Sequence, residues 1–467
     1  MPITGAVMVP HPPLIIPEVG RGQEKAIQAT IDAYHQAARC LAVWKPDTVV
    51  VLSPHSVMYA DYFHISPGTG AEGDFGRFRA PHAKVRVTYD RELVRLICQE
   101  ADRADVPAGT MGEEDRQLDH GTMIPLWFLN QYDRNYQVVR IGLSGLPFSA
   151  HYRLGQCIQR AAERSEKRIA VIASGDLSHR LTKDGPYGFQ EEGPAYDRRI
   201  MDVMGSGAFG GLFDFSEEFC EKAAECGHRS FVIMAGALDS LAVKAERLSH
   251  EGPFGVGYGI CTYEADGPAP GRDFLRQQEE KEREALEERK RKEDPYVHLA
   301  RQTIEAWVRG CAGRTEKRIA VPEGLPEEML ARRAGVFVSL KVDGRLRGCI
   351  GTISPVRGSI AEEIMENAVS AACRDPRFHP VEPEELDRLV YSVDVLGKTE
   401  EISSKEELDV KRYGVIVSRG ARRGLLLPNL EGVDTVEEQI DIARQKAGIP
   451  EDAENIRLER FEVVRHF

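Results

Sequence analysis

The chain's 467 residues exceed what one ordinary hydrophobic core accommodates, so two or three domains are expected. A hydrophobic share of 42% and a charged share of 29% are ordinary for a soluble globular protein. A formal net charge of −13 argues against a nucleic-acid partner, and no apolar run approaches the roughly 18 residues of a membrane span.

The amino terminus lacks a charged segment followed by an apolar one, so no secretory leader is expected and the cytoplasm is the expected compartment. Nine cysteines, at 40, 98, 157, 220, 226, 261, 311, 349 and 373, are scattered without a CxxC pair. That spacing disfavours a zinc ribbon or an iron–sulfur cluster and suits free thiols.

Taken in order, the apolar runs Ile3–Val9, Thr48–Ser53, Val138–Leu143 and Arg168–Ala173 read as strands. Helical patterns separate them. In Gln23–Trp44 the side chains of Ile27, Ile31, Tyr34, Ala38 and Leu41 share one face. Asp90 is placed to cap a helix whose face carries Leu93, Leu96 and Ile97. Short Val/Ile runs alternating with helices predict an α/β domain over 1–264, its mostly parallel sheet covered by helices. The Gly-rich run 252–264 reads as a closing strand.

A Pro/Gly stretch and a mixed-sign charged run at 265–294 predict a solvated linker helix, its Glu and Lys/Arg spaced for i,i+4 pairs. Residues 295–467 read as an α+β domain. Residues 335–352 predict a hairpin turning at Asp343–Gly344. Ser359 and Glu362 suggest a capping box for a helix carrying Ile360, Ile364, Ala368 and Ala371. LVYSVDVLG, GVIVS and GLLLP supply further strands.

Three histidines follow strand runs: His11 in VPHPP, His55 in LSPHS and His179 in SGDLSHR. In an open parallel sheet, side chains just past the carboxyl ends of strands reach the ligand. His120 stands beside Asp119 before an apolar helix, and Glu225 and Cys226 precede another. Two strand-end side chains plus one carboxylate describe a facial triad for non-haem Fe(II), with positions left open. His179 then serves as an acid/base near the metal, oriented by Asp176. The competing reading makes each histidine a turn or packing residue and leaves Glu225 and Cys226 to cap the helix near Gly227.

The motifs VPHPP, LSPHS, LDHGTMIPL, SGDLSHR and the CG-containing segment, in that order, resemble the LigB-like class III extradiol dioxygenases and their Memo relatives. The resemblance spans nearly all of 1–264. It implies His11 and His55 as metal ligands, His179 as the acid/base and His120 lining the site. Glu225 suits the dioxygenase pattern as third ligand, whereas Cys226 in CGHRS looks like the Memo-type cysteine, which is favoured here. Fe(II) is the implied cofactor, with Zn or Cu as alternatives because thiolate is the softer ligand.

GRLRGCIGTISP, AACRDPRFHPV and YGVIVSRGARRGLLLPN resemble the AMMECR-type domain over 295–467. Cys349, between glycines on a strand, is a candidate nucleophile, with Arg345 and Arg347 expected to favour its thiolate and Arg347, Asp375 or His379 as companions. Both domain types resemble components of the AmmeMemoRadiSam group. This implies a radical S-adenosylmethionine protein as partner; a small-molecule or peptide substrate is expected, and the oligomeric state, a homo-oligomer included, is left open. The expected function is a metal-dependent oxidoreductase of dioxygenase type. Its rivals are a Zn-dependent hydrolase on the same ligands and a non-catalytic binding or scaffold module.

Overall fold

A computed structural model describes residues 2–311, 320–342, 344–430, 432–451, 453 and 455–467. The chain divides into two compact units, Met1–Lys281 and Glu282–Phe467. Among the described residues no helix is long and apolar enough to cross a membrane.

The first unit is built on a six-stranded sheet in the order Gln137–Gly142, Thr48–Ser53, Ile169–Ser174, Ile3–Val9, Tyr258–Pro268, Leu241–Glu251. The first four strands run parallel, and the last two add an antiparallel edge. Thr48–Ser53 and Ile169–Ser174 are buried at every position. Alternate side chains enter different cores: Val50, Leu52 and Val171 pack on one face, Val49, Val51 and Ile172 on the other. This two-sided burial produces uninterrupted apolar runs. Residues Gln23–Ile27 form a 3₁₀ turn, and the α-helix starts at Gln28 and ends at Trp44.

Asp90 caps the helix Arg91–Arg103 by accepting from Leu93 N–H at 3.1 Å. It also accepts from Thr48 Oγ1 at 2.6 Å and pairs with Lys167 at 2.8 Å. Two hairpin elements were not read from the sequence. They are Gly70–Phe75 with Ala80–Thr88, and the edge strand Leu241–Glu251.

In the second unit, one antiparallel sheet has the order Arg345–Gly351, Val336–Val342, Val390–Leu396, Val463–His466. A second has the order Glu400–Ile402, Arg457–Phe461, Gly414–Arg419, Arg422–Leu426. This is the expected α+β character. Gly344 adopts φ 77°, the left-handed conformation a tight turn needs; Asp343 lies outside the described residues. The capping box is half formed. Ser359 Oγ accepts from Glu362 N–H, but Glu362 Oε2 accepts from Gly358 N–H rather than from Ser359. The charged run forms the helix Phe274–Lys292, with Leu275 buried at its start.

Candidate metal centre

Thr48–Ser53, Ile169–Ser174 and Ile3–Val9 are adjacent and parallel, so the segments leaving their carboxyl ends emerge side by side. His11, His55 and His179 leave from those ends. His11 Nε2 lies 3.0 Å from His55 Nε2 and 3.6 Å from Cys226 Sγ. One donor atom from each of His11, His55 and Cys226 falls within 4.8 Å of the others. Two nitrogens and a sulfur this close form a donor set for a transition metal.

Ser174 fixes the tautomer of His11. Its hydroxyl hydrogen goes to the Gly121 carbonyl at 2.6 Å, so its oxygen accepts from His11 Nδ1–H at 2.9 Å. His11 Nε2 is therefore a lone pair aimed at His55 and Cys226. Burial, with His55 opposing further charge, holds the His11 pKa well below the ordinary histidine value. Neutral imidazole is the ligand form.

Glu225 does not join this set. Its Oε2 accepts from His228 N–H at 2.6 Å at the start of the helix His228–Ala237, and burial pushes its pKa up to about 7. Cys226, one residue on, receives the Asp176 N–H on its sulfur at 3.3 Å. The loop is held against the end of the Ile169–Ser174 strand by glycine. A Cβ on Gly175 would stand 2.1 Å from the Gly227 Cα. No side chain fits that contact.

Asp176 joins two parts of the site. Its Oδ1 accepts from His11 N–H at 2.7 Å, and its Oδ2 lies 3.9 Å from His179 Nε2. Burial raises the Asp176 pKa to about 6 and lowers that of His179. His179 Nε2 is buried without a hydrogen-bond partner, and the exposed Tyr187 ring stacks on the imidazole at 5.1 Å. His179 is within electrostatic reach of both His11 and His55.

His120 begins the helix His120–Leu129 and stacks on His55 with ring centroids 4.2 Å apart. Burial, then the neighbouring His11 and His55, lowers its pKa to about 3. Asp119 caps this helix at Thr122 N–H and accepts from Ser53 Oγ at 2.6 Å; Ser53 Oγ in turn accepts from His55 N–H at 3.2 Å. Burial works against the Asp119 charge, but fully buried Arg140 and the Ser53 and Thr122 hydroxyls outweigh it and depress the pKa.

Ser174, Ser53, Arg140 and Tyr187 escaped the sequence reading. Both serines end strand runs inside a histidine motif, and Arg140 is a lone cation inside an apolar strand. Those were their available signals. Tyr187 had none. In the second unit, Cys349 is partly exposed on the strand Arg345–Gly351. Arg347, expected beside the thiol, instead pairs with Glu385 at 2.7 Å and donates to the His379 carbonyl.

Residues 5–261 match the family model for the catalytic LigB subunit of aromatic ring-opening dioxygenase, and residues 297–466 match that for AMMECR1. Protein CA_C1420 of Clostridium acetobutylicum is 40% identical over 474 residues, covering 100% of this chain and 99% of that protein. A Thermotoga maritima protein is 53% identical over 175 residues, 37% of this chain and 98% of its own length. Among solved structures, PH0010 from Pyrococcus horikoshii is similar at 35% identity and TM-score 0.33, covering 36% of this chain and 88% of that one. JW3007 from Escherichia coli K12 is similar at 12% identity and TM-score 0.38, covering 56% and 99%.

Proposed function

The chain belongs to the LigB family, fused to an AMMECR1 domain, and from that membership we propose that its first unit is a metal-dependent oxidoreductase of dioxygenase type. The observation that carries this reading is the His11–His55–Cys226 donor set. The residues fit a metal: His11 presents a lone pair fixed by Ser174, and His55 Nε2 and Cys226 Sγ stand within reach of the same point. Bound there, a redox-active ion such as Fe(II) supplies electron exchange between substrate and dioxygen.

The chain's own groups handle protons and position. His179 Nε2, neutral and without a hydrogen-bond partner, takes a proton from a bound hydroxyl and later returns it. Asp176 stabilises the imidazolium that forms, because its Oδ2 lies 3.9 Å from Nε2. His120, neutral at physiological pH, offers a hydrogen bond to substrate without competing charge. A radical S-adenosylmethionine partner acting in the same pathway belongs to this proposal, supported by the fusion of the two domain types.

Cys226 favours one second reading. A sulfur ligand in place of carboxylate also suits Zn(II) or copper, and with Zn(II) the same residues would activate water for hydrolysis. Metal analysis of anaerobically purified protein, followed by oxygen-uptake assays with catechols, separates the two. Iron or copper near one equivalent with substrate-dependent oxygen uptake supports the oxidoreductase. Stoichiometric zinc, no oxygen uptake and hydrolysis of an ester probe overturn it.

A further inference from the structure

Between the helix Glu192–Ser206 and the Gly-rich run before Tyr258 lies a buried carboxylate that the proposed mechanism leaves idle. It belongs to Asp197. Its Oδ1 accepts from Ser178 N–H at 2.9 Å, and its Oδ2 lies 3.1 Å from His250 Nε2. Arg247 Nη2 stands 3.4 Å from His250 Nδ1. A guanidinium only donates, so Nδ1 is the lone pair and Nε2 carries the hydrogen that Asp197 accepts. His250 is partly exposed on the edge strand Leu241–Glu251.

The carboxylate is fitted to its place. A Cβ on Gly257 would stand 2.0 Å from Asp197 Oδ2, so only glycine lets the group lie against the chain there. Gly257 N–H donates to the Ser178 carbonyl at 2.8 Å, and Ser178 Oγ donates to the Ala223 carbonyl at 2.8 Å. Ser178 is thereby held from three elements: at its N–H by the helix, at its carbonyl by the Gly-rich run, at its hydroxyl by the helix Glu217–Ala223. His179 follows directly and donates its own N–H to the Ala223 carbonyl at 3.3 Å. The direction in which its imidazole leaves the backbone is set at Ser178. A neutral acceptor would satisfy Ser178 N–H for the fold alone, and burial opposes the Asp197 charge by pushing its carboxyl up. An ionised acceptor makes the shorter and stronger hydrogen bond, which suits a backbone that must not move.

We propose, resting on the acid/base reading of His179, that Asp197 braced by His250 is a positioning residue that holds the His179 imidazole in place beside the metal donors. Asp197 acts through the Ser178 backbone, and His250 fixes the orientation of its carboxylate.

The test uses the full-length protein loaded with Fe(II). It reads oxygen uptake with catechols and, separately, carbethoxylation of His179 by diethyl pyrocarbonate. The tryptic peptide 169–180 carries His179 as its single histidine, so mass spectrometry follows that residue alone. Asp197→Ala is expected to label about tenfold faster than wild type, because a buried N–H without its acceptor lets the loop open. Its kcat falls about 10- to 100-fold, the cost of a displaced catalytic group, with KM and iron content unchanged. Asp197→Asn keeps an acceptor for Ser178 and brings both values back towards wild type. His250→Ala, on the partly exposed strand, shifts both in the same direction as Asp197→Ala; His250→Gln, still a donor to Asp197, restores them. Thermal melts check that each variant folds. Faster labelling in these variants, with a wild type that takes up no oxygen, upholds the positioning and overturns the oxidoreductase reading alone. Wild-type labelling in His250→Ala or in folded Asp197→Ala, or kcat lost only in proportion to iron, overturns the proposal.

Discussion

His11 Nε2 and His55 Nε2 face each other across 3.0 Å, and the His11 atom carries no proton. That separation suits an N–H···N hydrogen bond given by the Nε2 tautomer of His55, or a metal cation taken by both nitrogens. Binding of metal moves the His55 proton to Nδ1 and displaces the one burial keeps on the Cys226 thiol, whose pKa is raised well above the ordinary value. Metal affinity is therefore expected to rise with pH, with about one proton released per ion. Calorimetric titration in buffers of different ionisation enthalpy measures this; pH-independent affinity would count against the ligand set.

Ser174→Ala removes the acceptor that fixes the His11 tautomer and the donor to the Gly121 carbonyl. Metal affinity is expected to fall about 10- to 100-fold, as for other lost supports of ligating histidines. Stability should drop by about 1–3 kcal/mol because a buried carbonyl loses its donor. Retained affinity alongside that loss of stability would show that Ser174 supports the fold alone.

Gly175→Ala leaves all three donor side chains intact but drives a methyl into the Gly227 backbone. The Cys226 loop must retreat. Metal affinity is expected to fall, with about 1–3 kcal/mol of overpacking cost in urea unfolding. Wild-type binding in this variant would mean that the loop reaches the site without the close approach.

His179→Asn should bind metal at wild-type stoichiometry and lose about 10²- to 10⁴-fold in substrate-dependent oxygen uptake, the usual range for a general acid/base. Equal loss of metal and activity would instead make His179 a ligand.

Asp375 gives the second unit an acid sensitivity. Its hydrogen bonds with Arg377 outweigh burial and hold the carboxyl down to about 2. The stability it contributes is complete above the unfolded pKa of about 3.9 and is lost as pH falls through about 2. Asp375→Asn should flatten that part of the stability–pH curve of the full-length protein, measured by urea unfolding.

The central strands were legible because burial on both faces makes β-branched runs continuous, as in TVVVLS. Leu241–Glu251 was not. As an edge strand it is only partly covered, and LAVKAERLSHE lacks a strand's clean pattern. Ala80–Thr88 buries its 80, 83, 85 and 87 side chains, a nearly regular alternation interrupted by Pro81 and His82. The histidine cluster followed from strand order, since adjacent parallel strands bring their ends together. The choice between Glu225 and Cys226 rested on one residue of phase. Loop torsions and the helix at His228 decide which neighbour enters the site, and composition does not encode them. Arg140 shows the same limit, because its purpose is visible only once Asp115 and Asp119 lie against it.

The strand Ile3–Val9 precedes the other five strands of its sheet in the chain and lies between Ile169–Ser174 and Tyr258–Pro268. During translation, the amino-terminal segment must wait for some 250 further residues before both flanks exist. His11, just beyond that strand, therefore meets His55 and Cys226 only once the sheet has assembled around it.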